Sequence, residues 1–238
     1  MVFSPGGYQG INPGSFLGAG TGEDTLSGVS SMPVKGYQVR HETEIKKSRF
    51  LTSIGRTDTE TEARAFIARV RAQFPDARHH CTAYIVEDHG VRLARSSDDG
   101  EPAGTAGMPM LNCLVKEDVI NVTAVVTRYF GGIKLGASGL TRAYSGCVAA
   151  VIRTMERVVP QTRQIWAVTL GLEEMGRIEE TLLRSGVRIL SRNYTEVGVD
   201  VRLTSDTDPG SLFARIFPSH VRPVHDGEEI VEVRFPHV

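Results

Sequence analysis

The chain has 238 residues, 40% of them hydrophobic and 23% charged, and a formal net charge of −1. This composition is ordinary for a globular protein of one large or two small domains, and it excludes a chain that coats nucleic acid through overall charge. No apolar run approaches the ~20 residues of a membrane-spanning helix and no secretion signal is recognised, so we expect a cytoplasmic protein without a membrane partner. Three widely spaced cysteines favour a reducing compartment over a disulfide framework.

Three regions are predicted along the chain. Residues 1–33 are rich in Gly and Ser and have no helical or strand period, which indicates a disordered tail or a segment upstream of a translation start at Met32. Residues 34–159 carry more basic than acidic side chains, and residues 160–238 carry more acidic than basic ones. Because the hydrophobic pattern also restarts after Pro160, we expect two domains that meet there.

The first predicted domain alternates strands and helices. Its elements, in chain order, are strands over 37–45 and 48–56, a helix between Thr59 and Pro75, strands over 79–88 and 91–97, a helix from near Thr105, a strand over 121–130 and a helix capped by Ser138. Glu62 follows Thr59 at the spacing of a capping box. The strand over 121–130 is an unbroken apolar run, which is typical of the centre of a sheet.

The second predicted domain has the element order βαββαβ. Strands are predicted over 165–172, 187–196, 197–204 and 228–235, and helices over 173–186 and 209–217. This is the order of the ferredoxin-like, split βαβ fold. The whole chain is therefore predicted to belong to the α+β class.

A glycine-rich loop, RYFGGIKLGASGLTRAYSG, follows the predicted central strand at residues 128–146. Glycines let a backbone approach a ligand closely, and the start of a helix offers free N–H groups that attract anions. The candidate ligand-binding residues here are Arg128, Gly131, Gly132, Lys134, Gly136, Ser138 and Arg142. Ala137 stands where a nucleotide-hydrolysing phosphate loop needs its lysine, which argues against that class. The alternative is that the glycines only permit a tight turn.

A second glycine-rich segment, SSDDGEPAGTAGMPML, covers residues 96–111. We expect a helix to begin at Thr105 with its free amides facing outward, and this start adds the candidate ligand-binding residues Gly104, Thr105 and Gly107. Its acids, Asp98, Asp99 and Glu101, are interpreted first as a turn paired with nearby arginines. The alternatives are a Mg²⁺ site and general acid–base chemistry.

The segment ARHHCTAY, residues 77–84, raises the possibility of a cysteine nucleophile or a zinc site. On a strand, His79 and Cys81 share one face and His80 lies on the other, so only His79 is placed to activate Cys81. Two ligands do not complete a zinc site, and we expect neither a metal nor a cofactor. A buried cysteine beside a partly exposed histidine is the favoured interpretation. The candidate catalytic residues of the chain are His79, Asp98, Asp99 and Glu101.

Three motifs, RHHCTAY, SDDGEPAGTAGMPML and RYFGGIKLGASGLTRAY, follow one another in an order and spacing that resembles the YigZ/IMPACT family. The resemblance covers residues 36–238. One departure is Ser138-Gly139, where the family usually has Gly-Gly. The positions shared by motif are Arg78, His79, His80, Cys81, Asp98, Asp99, Gly100, Glu101, Arg128, Gly131, Gly132, Lys134 and Gly136, and the family assigns none of them a catalytic role.

The resemblance implies a fold and a class of function. It implies an N-terminal βαβ domain like the fold of ribosomal proteins and of domain IV of elongation factor G, and a ferredoxin-like C-terminal domain. Eukaryotic relatives regulate translation by restraining the kinase that responds to amino-acid starvation, through its large activator protein. We therefore expect a non-enzymatic, translation-linked protein that binds structured RNA, the ribosome or a translation-associated protein. The alternatives are a hydrolase or phosphotransferase that uses the Asp/Glu/His cluster, and a protein–protein adaptor.

Overall fold

The computed structural model describes residues 30–88, 90–205, 207–217 and 221–235, so residues 1–29 of the predicted tail lie outside the described residues. Within these ranges the chain is a mixed α+β protein with two antiparallel sheets, as predicted for its class. No helix of the described ranges is both long and apolar enough to cross a membrane.

The first sheet contains five strands in the order β2-β3-β6-β4-β5. Their bounds are Gln38–Ile45 for β2, Ser48–Arg56 for β3, His79–Asp88 for β4, Val91–Ser97 for β5 and Val122–Tyr129 for β6. All neighbouring strands are antiparallel. These bounds agree with the prediction to within one residue at each end, and β6 occupies the predicted central position.

Helices cover both faces of this sheet. Helix α1 (Glu60–Gln73) packs Phe66 and Val70 against Val125 of β6 on one face. Helices α2 (Gly107–Lys116) and α3 (Ala137–Ile152) cover the other face, where the largest apolar cluster of the described chain includes Phe50 and Tyr144. The sheet is therefore the middle of three layers. The site described below lies at one end of the α2/α3 face.

Thr59 caps α1 as the sequence predicts, since its side chain accepts a hydrogen bond from the Glu62 amide at 3.2 Å. The reciprocal bond of the capping box is displaced by one residue. The Glu62 carboxylate accepts from the amide of Asp58, at 2.7 Å, rather than from Thr59. The first contact satisfies an amide that the first turn of the helix leaves without an intrahelical partner, and the second ties the residue before the cap to that turn.

The second sheet has five strands: β7 (Arg157–Leu170), β8 (Arg188–Thr195), β9 (Gly198–Thr204), β10 (Val224–Arg234) and the two-residue β1 (Met32–Pro33). Strand β7 lies between β10 and β9. Helices α4 (Leu172–Arg184) and α5 (Gly210–Ile216) complete the predicted βαββαβ order. A separate apolar cluster joins the helices to the sheet, and it includes Ile178, Leu182, Val201, Leu203 and Phe213.

Pro160, near which the sequence predicts that two domains meet, lies inside strand β7. Strand β7 begins at Arg157, and Pro160 pairs with Glu232 of β10. The register of β9 with β7 begins only at Ile165, so at Pro160 the far side of β7 has no β9 neighbour. A proline without an N–H is tolerated at such an edge position.

Residues 30–33, at the end of the predicted tail, belong to the described part of the chain and contact the fold. Met32 and Pro33 form a short strand, β1, that pairs with Val158 and Arg157 of β7. Met32 is buried in the large apolar cluster, which supplies the area needed to order this segment. The amide of Ile120 also donates to the Ser31 carbonyl at 2.8 Å.

Candidate functional site

The start of α2 is closed by a carboxylate of the same chain. Asp98 accepts hydrogen bonds from the amides of Gly104 at 2.7 Å, Ala106 at 3.0 Å and Gly107 at 2.8 Å. Burial opposes ionisation of Asp98, but these three amides outweigh it and lower the pKa of the carboxyl. The prediction that the amides of this helix start face outward is therefore wrong. Thr105 is also buried, and α2 begins at Gly107, two residues later than expected.

Asp99 is engaged in holding the turn against the sheet and α1. Its carboxylate accepts from Arg71 at 2.6 Å and from the His80 amide at 2.6 Å. The residue has a φ of 43°, a left-handed conformation that Asp tolerates better than most side chains. The interpretation of these acids as a turn paired with arginines describes Asp99 directly.

Glu101 and Arg128 form a buried ion pair between the two helix starts. Their side chains are 4% and 7% exposed, and Arg128 Nη1 donates to Glu101 Oε1 at 2.7 Å. The hydroxyl of Tyr144, on α3, donates to the same oxygen at 2.8 Å. Arg128 Nη2 also contacts Ser48 Oγ at 3.3 Å. The pair thus links the α2 loop, β6 and α3, so Arg128 is not the surface cation that we expected.

Glycine is required in the loop before α3 for two different structural reasons. A Cβ at Gly131 would lie 1.9 Å from the carbonyl oxygen of Lys47, so only glycine permits this approach to the β2–β3 turn. Gly136 has a φ of 73° and is the N-cap of α3, and among the described residues no side chain caps the helix. The prediction that Ser138 caps α3 is therefore wrong, because Ser138 lies inside the first turn.

A cleft of about 600 Å³ opens beside this uncapped helix start. Its residues come from the end of β6 and the following loop, from the start of α3, from the turn before β4 and from the α2 loop: Asp76, Arg78, His79, Glu101, Pro102, Arg128, Tyr129, Phe130, Lys134, Leu135, Gly136, Ala137 and Leu140. Arg78 and Lys134 are exposed cations on its walls, and the buried Arg128 lies deeper. The cleft therefore combines basic groups, aromatic rings and a helix N-terminus.

The two histidines lie on opposite faces of β4, as the strand alternation predicts. His79 Nδ1 lies 2.9 Å from the Asp99 carbonyl oxygen. Because a carbonyl only accepts, Nδ1 carries the proton and Nε2 is the ring nitrogen that can accept one. His80 is buried, contacts Thr127 Oγ1 at 2.9 Å, and has a pKa lowered by that burial.

Cys81 has the properties of a structural cysteine. It is completely buried, and its thiol donates to the Asp98 carbonyl at 3.0 Å. Burial raises the pKa of the thiol to about 12, so the thiolate needed for nucleophilic attack is scarce at neutral pH. This agrees with the favoured interpretation of a buried cysteine. Within the described ranges, no group of three or more His, Cys, Asp or Glu side chains is arranged to hold a metal ion.

Comparisons with known proteins agree with the motifs. Residues 46–152 match the Impact N-terminal domain. The chain is 44% identical over 155 residues to the IMPACT family member YigZ of Escherichia coli, which covers 63% of this chain and 74% of that protein. It is 40% identical over 156 residues to the IMPACT family member YvyE of Bacillus subtilis, covering 66% of this chain and 71% of the relative.

The chain belongs to the IMPACT family. The resemblance inferred from the three motifs is thereby confirmed. A crystal structure described only as that of a hypothetical protein has 34% sequence identity to this IMPACT-family chain and a TM-score of 0.52, covering 84% of this chain and 98% of the other.

The cleft of this IMPACT-family chain contains only part of the predicted ligand-binding set. Arg128, Lys134 and Gly136 line it, together with the catalytic candidates His79 and Glu101. The predicted residues that do not line it are Gly104, Thr105, Gly107, Gly131, Gly132, Ser138 and Arg142, with the acids Asp98 and Asp99. Whether any of these residues binds a ligand stays a prediction.

The prediction missed Arg78, Tyr129 and Phe130 as cleft residues. Arg78 belongs to the first family motif, and it immediately precedes the cleft residue His79 at the start of β4. Tyr129 and Phe130 end the apolar run of β6, and Phe130 is 57% exposed. An aromatic pair that leaves a buried strand just before a glycine-rich loop was a usable signal, because large exposed aromatic side chains often mark binding surfaces.

Proposed function

We propose that this protein is a non-enzymatic, translation-linked regulator that binds structured RNA through the cleft beside α3. The observation that carries the proposal is the convergence of Arg78, Lys134 and the uncapped start of α3 on one cleft. Exposed Lys and Arg side chains and helix N-termini are the groups that proteins use to bind phosphates. Membership of the IMPACT family supports the link to translation, since relatives in eukaryotes regulate it.

We propose a ferredoxin-like fold for residues 160–238. The strand arrangement β10-β7-β9-β8, with α4 and α5 packed on its apolar cluster, supports a ferredoxin-like C-terminal domain. We also propose that the N-terminal domain is like the fold of ribosomal proteins and of domain IV of elongation factor G, and that the two domains meet near residue 160. Fold alone assigns no function, so the cleft carries the argument.

The carboxylates favour binding over catalysis. Asp98 is saturated by three amides, and Asp99 is held by Arg71 and the His80 amide. Glu101 is paired with Arg128 and Tyr144. Each acid thus has a structural partner, and His79 is the remaining member of the predicted catalytic set. For this reason the hydrolase or phosphotransferase hypothesis is less favoured than RNA binding.

The test is RNA binding by a double charge reversal, Arg78→Glu with Lys134→Glu. We expect ribosomal RNA fragments that bind the parent protein to bind this variant more weakly. We also expect the negative slope of log K against log[salt] to become shallower by about 2, one for each lost phosphate contact. Both side chains are exposed, so we expect the urea midpoint to stay unchanged.

The matched control is Lys116→Glu with Arg153→Glu. It changes the net charge by the same amount through two other exposed cations, near the C-terminal ends of α2 and α3. The proposal fails if both double variants bind RNA equally, or if the parent binds no RNA. Retention of a protein partner after nuclease treatment, with no RNA binding by the parent, would instead favour the adaptor.

A further inference from the structure

The cleft is sized for one small unit and not for a duplex. Its volume of about 600 Å³ lies in the range of pockets that hold a small organic ligand. Paired RNA is contacted across its grooves and phosphates, whereas unpaired bases are recognised by stacking on aromatic rings and by hydrogen bonds within a pocket. The shape of the cleft therefore favours an unpaired nucleotide.

Phe130 provides a fixed aromatic surface in this cleft. The guanidinium carbon of Arg128 lies 5.6 Å from the centroid of the Phe130 ring, and the residue is 57% exposed. The cation contact holds one side of the ring against the protein, and the exposed remainder stays available. An exposed ring held in this way is the arrangement on which proteins stack single bases.

The cleft contains hydrogen-bond donors that could serve a phosphate group. Arg128, which is more than nine-tenths buried, has partners for Nη1 and Nη2, but its buried Nε has none among the described residues. Lys134 and the uncapped start of α3, at Gly136 and Ala137, line the same cleft. The cleft lining carries three cations, Arg78, Arg128 and Lys134, against two carboxylates, Asp76 and Glu101, and this net positive charge is suited to a phosphate group.

His79 adds a hydrogen-bond acceptor. The contact of Nδ1 with the Asp99 carbonyl fixes the tautomer, so Nε2 accepts rather than donates. The ribose 2′-hydroxyl, which is a donor and an acceptor, is the group by which proteins distinguish RNA from DNA. An acceptor in the same cleft as a phosphate site and a stacking ring therefore matches a ribonucleotide.

We propose that the cleft holds one unpaired ribonucleotide of a bound RNA, with its base on Phe130, its phosphate between Lys134 and the start of α3, and its 2′-hydroxyl at His79. This inference rests on the proposed RNA-binding function and specifies the element of RNA that the cleft recognises. A terminal nucleotide and a nucleotide flipped out of a helix present the same chemistry.

The experiment measures calorimetric binding of four probes to the full chain: adenosine 5′-monophosphate, its 2′-deoxy analogue, adenosine and inorganic phosphate. Adenosine monophosphate is expected to bind most tightly, because it alone supplies base, 2′-hydroxyl and phosphate. Phe130→Ala is expected to weaken its binding about tenfold, with Phe130→Trp retaining it. His79→Ala should remove the preference for the ribose over the deoxyribose form. Arg142→Ala, on the same helix but outside the cleft, is the control that should change nothing.

The inference is overturned if inorganic phosphate binds as tightly as adenosine monophosphate, if Phe130→Ala has no effect, or if the deoxy form binds equally well. A parallel titration with a blunt, fully paired RNA duplex separates this result from the proposed function. Binding of that duplex through Arg78 and Lys134, without any affinity for the mononucleotide, would end the single-nucleotide inference and leave RNA binding standing. Binding of neither would end both.

Discussion

The two glycine-rich helix starts look alike in sequence and differ in chemistry. At the start of α2, the amides of Gly104, Ala106 and Gly107 are all bound by Asp98. At the start of α3, Gly136 is the N-cap, no side chain from the described part of the chain caps the helix, and a cleft lies against it. A helix start binds an external anion only if its own chain has not already supplied one. The difference depends on one carboxylate, six residues before Gly104.

The buried pair of Glu101 and Arg128 links these two helix starts, and breaking it should have the largest effect. Arg128→Met leaves the Glu101 carboxylate buried without its cation, so we expect a loss of about 3–5 kcal/mol in the free energy of unfolding. The measurement is urea denaturation followed by circular dichroism.

The double variant Arg128→Met with Glu101→Gln is the control, because it removes the charge on both sides. It should recover a large part of the lost stability. A single Arg128→Met variant that unfolds at the same urea concentration as the parent would contradict the buried pair.

Replacing the carboxylate at the α2 start should have the next largest effect. Asp98→Asn keeps one side-chain oxygen but loses the charge that three amides share, and we expect a loss of about 2 kcal/mol in unfolding free energy. The control is Asp200→Asn on β9, an exposed aspartate whose carboxylate accepts a hydrogen bond from Thr169. It should lower the free energy of unfolding by less than about 0.5 kcal/mol, as is usual for surface substitutions.

The same variant carries a pH signature. The pKa of Asp98 is lowered from 3.8 in the folded state, so its contribution to stability is complete above pH 3.8 and is lost as pH falls through the folded-state value. The stability gap between the parent and Asp98→Asn should therefore be constant near neutral pH and shrink in acid. A gap that widens as the pH falls would reverse the assigned sign.

Alanine substitution of one glycine at each helix start should lower the free energy of unfolding by a similar amount, so the effects on RNA binding can be compared directly. Gly104 and Gly136 have φ values of 76° and 73°, and a Cβ at either position would meet no atom within 4 Å. Alanine at each should cost about 1–2 kcal/mol through the left-handed conformation alone. Only Gly136→Ala is expected to weaken RNA binding as well. Equal effects of the two variants on RNA binding would remove the distinction between the helix starts.

The strands were predictable because alternation and apolar runs are local properties of the sequence. The state of each helix start was not, since it depends on which distant group satisfies an amide. Arg128 illustrates a signal that could have been used. It continues the series Val122, Ala124 and Val126 at every second position, which places its side chain on the face of β6 that α2 and α3 cover. Its acid partner, 27 residues earlier, has no comparable local signature.

The most direct test of the account follows backbone amides by nuclear magnetic resonance while adenosine 5′-monophosphate is added. We predict progressive shifts for the amides of Lys134, Gly136 and Ala137, with those of Gly104 and Gly107 unchanged because Asp98 already holds them. Shifts at Gly104 and Gly107 with none at the start of α3 would contradict it, as would an unaltered spectrum at both helix starts.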